Sequence, residues 1–515
     1  MRTAASPQLL ALLPIDRTAR VPLHRQVYDG LRRAILEGQL RPGQRVPSTR
    51  ELASDLGVSR LPVLTAYEQL RHEGYIDGRI GSGTYISAAL PDDALRPVRV
   101  AASAPRSMSV PSRSTPTWPA RSRASSSSRA AVQRRVSLRA VPRPRNDGGL
   151  RPFRVSLPAL DAFPHALWAR LVARHAHRLP LMHMAYGDPA GVGVLRAAIA
   201  EHLRGARGVR CEAEQVLITS GSQAALRLCA AVLVARGDRV AVEEPGYLGA
   251  RVALRTAGAE LVPVPVDDEG IDVTVLGAWS RRRRPSVRAV YVTPSHQYPL
   301  GIAMSAARRL ALLEWAVRHE AWVLEDDYDS EYRYVSRPLA ALQGMDVHER
   351  VIYIGTFSKV LFPALRVGYL VVPSALRDRF VEAREALDLF SPTLYQLALA
   401  DFLRDGHFAR HLRRMRAVYL RRREALLNGL ARHCDALLTV LNADAGLHVS
   451  TLLRDDIDDT RVVARMASRG LTATALSPCY ATRVRRSGLL LGFGGSDERA
   501  IAGATRVLRD VLRES

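Results

Sequence analysis

Hydrophobic and polar positions follow three different rhythms along the chain. Between Leu23 and Ser87 the apolar residues recur at helical spacing, and Val27, Leu31 and Ile35 fall four residues apart on one face. The stretch GQLRPGQRVPS interrupts with glycine and proline, after which TRELASDLG reads as a second, short helix closed by a tight turn at Gly57. A third helix is expected after Ser59, a natural N-cap. Pro62 falls in its first turn, where a missing N–H is harmless, and Val63, Ala66, Tyr67 and Leu70 form its inward face. GYIDGRIGSGTYIS follows as two short β runs around a glycine-rich tip. The pattern predicts a winged helix-turn-helix, an α+β unit, over residues 15–88.

Beyond Pro91 this rhythm is lost. As far as Asn146 the chain is Arg, Ser, Pro and Ala, including SRASSSSRAA, with no acidic residue between Asp93 and Asp147. Such a stretch cannot bury enough apolar surface to order itself, so residues 89–150 are expected to form a flexible linker. From Arg151 onward amphipathic helices alternate with the β-branched runs QVLIT, RVAVEE, RAVYVTP, AWVLEDD and VIYIGT. This alternation predicts an α/β domain over residues 151–515, with a mainly parallel sheet covered by helices on both faces. In such sheets ligands sit beyond the carboxyl ends of the strands.

Length and composition agree with a multidomain globular protein. At 515 residues, 47% of them hydrophobic, the chain can build about three units of ordinary size. A formal charge of +24 points towards a polyanionic partner such as nucleic acid. The cysteines Cys211, Cys229, Cys434 and Cys479 are scattered without ligand or disulfide spacing, so no metal site is indicated. The apolar run LLALLPI is broken by Pro14 and is too short to span a membrane, so a cytoplasmic protein without a membrane partner is expected.

One residue stands apart in TFSKVLFPALRVG: Lys359 is the only lysine in the chain. Arginine replaces lysine where only charge is wanted, but its guanidinium stays protonated, whereas a desolvated lysine amine can attack a carbonyl. Asp326 and Tyr328 follow one predicted strand and Thr356, Ser358 and Lys359 another, so they converge at one edge of the sheet. A lysine, a carboxylate, a phenol and phosphate donors are the groups that pyridoxal 5'-phosphate needs. For the phosphate, ITSGSQAAL places Gly221, Ser222 and Gln223 between a strand and a helix N-terminus, and Arg366 adds a fixed positive charge. Tyr247 in EEPGYLG offers a ring to stack on the cofactor. In the first unit Arg50, Ser59 and Arg60 gather at the exposed start of the second helix of the helix-turn-helix.

PLHRQVYDGLRRAILEGQLRPGQRVPSTRELA and VSRLPVLTAYEQLRHEGYIDGRIGSGTYIS closely resemble the winged helix of the GntR-type bacterial regulators. That resemblance implies binding to a double-stranded DNA operator, with Arg50 and Arg60 on the DNA and Ser48, Ser59 and the wing residue Gly83 near phosphates. Leu61 and Pro62 depart from the polar residues that the family often carries there. Residues from about 155 to 510 resemble the fold-type I aminotransferases through AYGDPAGVGVLRAAIAEHLRGARGV, TSGSQAAL, VEEPGY, VTPSHQYPLG, EDDYDSEY and GTFSKVLFPALRVGYL. By that resemblance Lys359 is the Schiff-base lysine, Asp326 the pyridinium partner, Tyr328 the ring-hydroxyl partner and Tyr247 the stacking residue. Ser222, Gln223, Thr356, Ser358 and Arg366 hold the phosphate.

Tyr298 stands in HQYPLG where aminotransferases often have Asn, which leaves the polar role to His296 or Gln297. The run SGLLLGFGG has leucines where aminotransferases commonly place a substrate-carboxylate arginine, with Arg485 and Arg486 just upstream. The combination is similar to the MocR subgroup of GntR-type transcriptional regulators. It implies a domain-swapped homodimer that senses pyridoxal phosphate or an amine or amino-acid effector. The alternative is an active aminotransferase with an accessory DNA-binding domain.

Overall fold

The computed structural model describes residues 13, 15–16, 23–36, 39–41, 43–72, 75–79, 83–87, 150–282, 286–334, 340–454, 456–482 and 486–515. The stretch expected to be a linker lies outside the described residues except for Leu150, as does Arg485. The chain divides into two compact units, each of which is built around its own core.

In the first unit, helix Leu23–Leu36 packs against helix Arg60–His72, with helix Thr49–Asp55 between them in sequence. Val27, Leu31 and Ile35 from the first and Val63, Ala66, Tyr67 and Leu70 from the last are all buried in one apolar cluster. The middle helix is fixed by a capping box: the Ser48 hydroxyl accepts from Glu51 N at 3.2 Å, and a Glu51 carboxylate oxygen accepts from Ser48 N at 2.8 Å. Strands β1 (Arg45–Val46), β2 (Ile76–Arg79) and β3 (Gly83–Ile86) form an antiparallel sheet in the order β1-β3-β2. The expected hairpin therefore gains a third strand from the segment between the first two helices, whose glycines and prolines leave only two residues to pair.

The second unit is an α/β fold. Strands β4 (Val216–Thr219), β5 (Arg239–Glu244), β6 (Glu260–Asp267), β7 (Gly270–Ile271), β8 (Val287–Val292), β9 (Trp322–Asp327), β10 (Val351–Thr356) and β11 (Gly368–Val371) form one sheet in the order β4-β11-β10-β9-β8-β5-β6-β7. Pairing is parallel from β10 through β6, and β11 runs antiparallel to both of its neighbours. Strand periodicity sorts the side chains onto two faces. Leu217, Val242, Tyr291, Leu324, Ile354 and Leu370 pack with Leu226 of helix Ser222–Leu233, Leu254 of helix Leu248–Thr256 and Phe380 of helix Arg377–Asp388. On the opposite face Ile218, Tyr353 and Tyr369 meet helices Gly193–Arg207 and Thr393–Arg404, and Ala241, Val290 and Val323 meet helix Ala306–Arg318.

Burial on both faces explains why these runs read as continuously apolar. The strand β6 was not visible as such in the sequence, because Pro263 and Pro265 interrupt ELVPVPVD. It lies one place from the sheet edge, next to the two-residue β7, where prolines are tolerated. A smaller antiparallel sheet follows, with β12 (Thr439–Val440), β13 (His448–Leu452), β14 (Thr474–Ala475) and β15 (Gly488–Gly492) in the order β12-β13-β15-β14. No helix among the described residues is long and apolar enough to cross a membrane.

Candidate functional site

The carboxyl end of β9 carries three consecutive acids, and the strand period divides them. Glu325 and Asp327 lie on one face and are tied into the fold, Glu325 through both carboxylate oxygens and Asp327 through Oδ2. Glu325 accepts from the backbone of Leu342 and Gln343, each at 2.8 Å, while Asp327 receives Arg207 Nη2 at 2.7 Å and the Tyr353 hydroxyl at 2.6 Å. Asp326 lies on the other face, where the Tyr291 hydroxyl donates to its Oδ2 at 2.7 Å. Its Oδ1 is buried without a partner. Burial pushes the Asp326 carboxyl up to about 7, against the Tyr291 bond and the nearby Lys359 charge, which lower it. An acceptor held dry and half-satisfied suits an N–H donor such as a pyridinium.

Lys359 follows β10 by three residues, and its Nζ donates to the Ser156 carbonyl at 3.2 Å. Ser156 adopts a left-handed φ of 64°, in a segment that precedes the whole sheet in sequence. Thr356 is buried at the strand end, and its hydroxyl accepts from Ser358 N at 3.2 Å. Arg366, itself left-handed at φ 53°, donates through Nη2 to the Ser220 carbonyl at 2.5 Å. Its guanidinium covers Gly221, whose φ is 91° and where a Cβ would stand 3.0 Å from Arg366 Nη1. The result is a glycine cradle beneath a guanidinium at the start of helix Ser222–Leu233, a geometry that suits a phosphate.

Gln223 on that helix donates to the Tyr247 hydroxyl at 3.2 Å, and the Tyr247 ring meets Tyr298 edge-on at 5.4 Å between centroids. Tyr298 in turn approaches Tyr328 at 6.1 Å. The Tyr328 hydroxyl lies 3.0 Å from His296 Nδ1. Every residue proposed from sequence for the cofactor is therefore found around the carboxyl ends of β4, β5, β9 and β10. Gln297 is engaged elsewhere: its amide donates to the carbonyls of Pro245 and Tyr298 and to Glu243, and accepts from Leu300 N. Of the two candidates for the polar role, His296 is the one beside Tyr328. Leu489, Leu490 and Leu491 are fully buried in β15, and Arg486 is exposed.

Sequence reasoning missed Tyr291, Asp329 and His448. Tyr291 is the one hydroxyl in its strand, which was its only signal. His448 belongs to the smaller sheet, and its ring reaches within 5.2 Å of His296. Burial pushes the His448 imidazole down to about 4, helped by its neighbours His296 and Lys359.

In the first unit Arg50, Ser59 and Arg60 are exposed, and Arg60 Nε donates to the Thr49 hydroxyl at 3.2 Å, tying the two helices of the motif together. Ser48 spends its hydroxyl oxygen on the capping box. Gly83 opens β3 with φ 110°, close against the Arg45 guanidinium of the neighbouring strand. Arg45 is thus a wing-side cation that the sequence, read as a breaker segment, did not single out. Leu61 is 69% exposed among these polar groups.

Residues 23–86 match the family of bacterial regulatory proteins, gntR family, and residues 174–490 match aminotransferase class I and II. Among solved structures, the chain resembles the kynurenine aminotransferase of Pyrococcus horikoshii with a TM-score of 0.66 and 29% identity, covering 70% of this chain and 90% of that one. It resembles the α-aminoadipate aminotransferase LysN of Thermus thermophilus to the same TM-score, with 30% identity over 70% of this chain and 92% of that one. The fold and the two matched families define a DNA-binding transcriptional regulator with an aminotransferase-like domain. Over nearly its full length the chain is similar to the probable rhizopine catabolism regulatory protein MocR of Rhizobium meliloti, at 41% identity across 97% of this chain and 96% of that protein. It is also similar to the pyridoxine biosynthesis regulator PdxR of Corynebacterium glutamicum, at 33% identity across 98% and 99% respectively. The chain belongs to the MocR-type regulators of the GntR family.

Proposed function

We propose that this regulator holds pyridoxal 5'-phosphate covalently at Lys359, and that an amine or amino-acid effector changes operator binding by taking over that bond. The carrying observation is Asp326, buried with one oxygen unpartnered beside the only lysine of the chain. When bound, the cofactor supplies an aldehyde carbon for an amine and a ring that accepts electron density. Asp326 would accept the ring N–H, Tyr328 would donate to the ring oxygen, and Tyr247 would cover the ring face. The backbone at Gly221, the side chains of Ser222, Gln223, Thr356 and Ser358, and the Arg366 guanidinium bind the phosphate. Where it does not hold the cofactor, the Lys359 amine is a group that could move a proton.

The winged helix over residues 15–88 then reads the operator through Arg50 and Arg60, with Ser48, Ser59 and Gly83 against phosphates. Residues 151–515 serve as the effector and dimerisation domain. Leu181, Met182, Met184 and Tyr186 are 83%, 74%, 68% and 86% exposed, an apolar patch that a second copy of the chain would cover in a domain-swapped homodimer. Such a regulator works in the cytoplasm. The leucines of β15 favour sensing over turnover, because they offer an effector carboxylate no charge. Lys359→Arg is the test: the purified variant should lose the visible absorption band and the response to amines while still shifting operator DNA. A variant that keeps both band and response would overturn the reading.

A further inference from the structure

Behind Tyr328 lies a buried group of polar side chains for which the proposed cofactor chemistry has no use. His296 Nδ1 faces two oxygens at the same distance, Asp329 Oδ1 at 3.0 Å and the Tyr328 hydroxyl at 3.0 Å. His296 and Asp329 are 3% and 2% exposed. The cluster is closely packed: at Gly446, φ 76°, a Cβ would stand 2.1 Å from His296 Cε1 and 2.6 Å from Asp329 Oδ2. Only a glycine lets the chain pass so near the ring.

A carboxylate accepts and cannot donate, so the contact with Asp329 requires the hydrogen of His296 to sit on Nδ1. A nitrogen that carries a hydrogen cannot accept one from Tyr328. The phenol must therefore receive the shared N–H and point its own hydrogen away, into the cofactor pocket. We infer that Asp329 and His296 are positioning residues that fix the imidazole tautomer and so aim the Tyr328 hydroxyl at the ring oxygen of the bound cofactor. The inference rests on the cofactor reading above. A phenol that accepts one hydrogen bond while donating another is also the stronger donor.

The ionisable groups around this pair include Asp326 on β9, Glu331 and Tyr334 in the segment after β9, Glu243 on β5, Tyr298 in the loop after β8, His448 on β13 and Lys359 after β10. None of them bonds His296 Nδ1 in place of Asp329.

The experiment is a pH titration of the visible band of the full-length protein loaded with pyridoxal phosphate. The band reports protonation of the nitrogen that joins Lys359 to the cofactor, and a donor to the ring oxygen lowers its midpoint. Tyr328→Phe should raise the midpoint and set the full size of the effect. Asp329→Asn should raise it as well, by about half to one pH unit, because an amide presents an N–H to Nδ1 as readily as an oxygen, so the imidazole hydrogen is no longer pinned there and Tyr328 is released to turn inward. Loss of a nearby negative charge by itself would lower the midpoint, so the sign separates positioning from simple electrostatics.

The double variant should match Tyr328→Phe alone, since one group acts through the other. His296→Leu should raise the midpoint, and His296→Asn, whose amide restores an N–H near the Nδ1 position, should bring it back, which covers the case where Asp329→Asn does not fold. A downward or absent shift for Asp329→Asn, or an additive shift in the double variant, would overturn the inference. Absence of any visible band in the unaltered protein would instead overturn the cofactor reading, and this inference with it.

Discussion

Asp326 is a stability liability in the cofactor-free protein. Its carboxyl titrates near 7 in the folded chain, raised chiefly by burial from an ordinary 3.8. Between those values the folded state holds a proton that the unfolded state has released. The stability this group contributes is therefore present in full below about pH 4 and is lost as the pH rises through about 7. Asp326→Asn keeps an oxygen for the Tyr291 hydroxyl and removes the charge. It should raise the melting temperature of cofactor-free protein at pH 8, by an amount equivalent to about 2 kcal/mol, by less than half of that at pH 5, and change it little at pH 4. Some pH dependence will persist, because burial also raises Glu243 and Glu325 to about 7. The same variant should bind pyridoxal phosphate less tightly in an equilibrium dialysis measurement. On the DNA side, Arg60 is exposed and its Nε is anchored to Thr49, so its terminal nitrogens are the part left to meet a base edge. Arg60→Ala should relax sequence preference by about 1–3 kcal/mol in mobility-shift competition, with the fold unchanged.

At the scale of elements, β9 shows how one strand serves two purposes. Alternation sends Asp327 to the face where Arg207 waits, both side chains nearly inaccessible, and the two are joined by bonds of 2.7 and 2.9 Å. Burial works against the Arg207 charge, but the Asp327 carboxylate outweighs it and holds the guanidinium above its ordinary range. Arg207→Ala leaves that carboxylate without a counter-charge in the interior, bonded to the Tyr353 hydroxyl, and should cost about 3–5 kcal/mol in chemical denaturation, with no direct effect on the cofactor. The sequence made β9 plain, since an apolar run ending in acids is a buried strand meeting a ligand edge. It also placed Lys359, Asp326 and Tyr328 on neighbouring strand ends. What it could not convey was which of the three acids stays without a counter-charge on the cofactor face, because that depends on Tyr291, Arg207 and Tyr353, which are supplied by other elements. His448 was hidden for the same reason: the smaller sheet delivers it across a long sequence separation, and a lone histidine in a short strand carries no local mark. The prolines of β6 concealed a strand that only its near-edge position permits.

At the scale of the whole molecule, two separately built cores share one chain, and only the larger holds the lysine. A ligand shifts such a regulator only by its differential affinity for two states, so the bond proposed at Lys359 would act by stabilising one DNA-binding state over another. Lys359→Arg, which keeps the charge and forbids the bond, should therefore leave operator affinity measurable and flat as amine is titrated. The solitary lysine also gives the denatured chain a single address for lysine-specific chemistry. A protease that cuts only after lysine should sever the polypeptide at one peptide bond, Lys359–Val360. Fixing the cofactor on that amine by mild reduction before digestion would remove the address, and the polypeptide would run intact on a gel. The ratio of cut to uncut chain would then count occupied sites without reference to colour, DNA or turnover, and a chain that is cut fully after such treatment would mean the amine had been free.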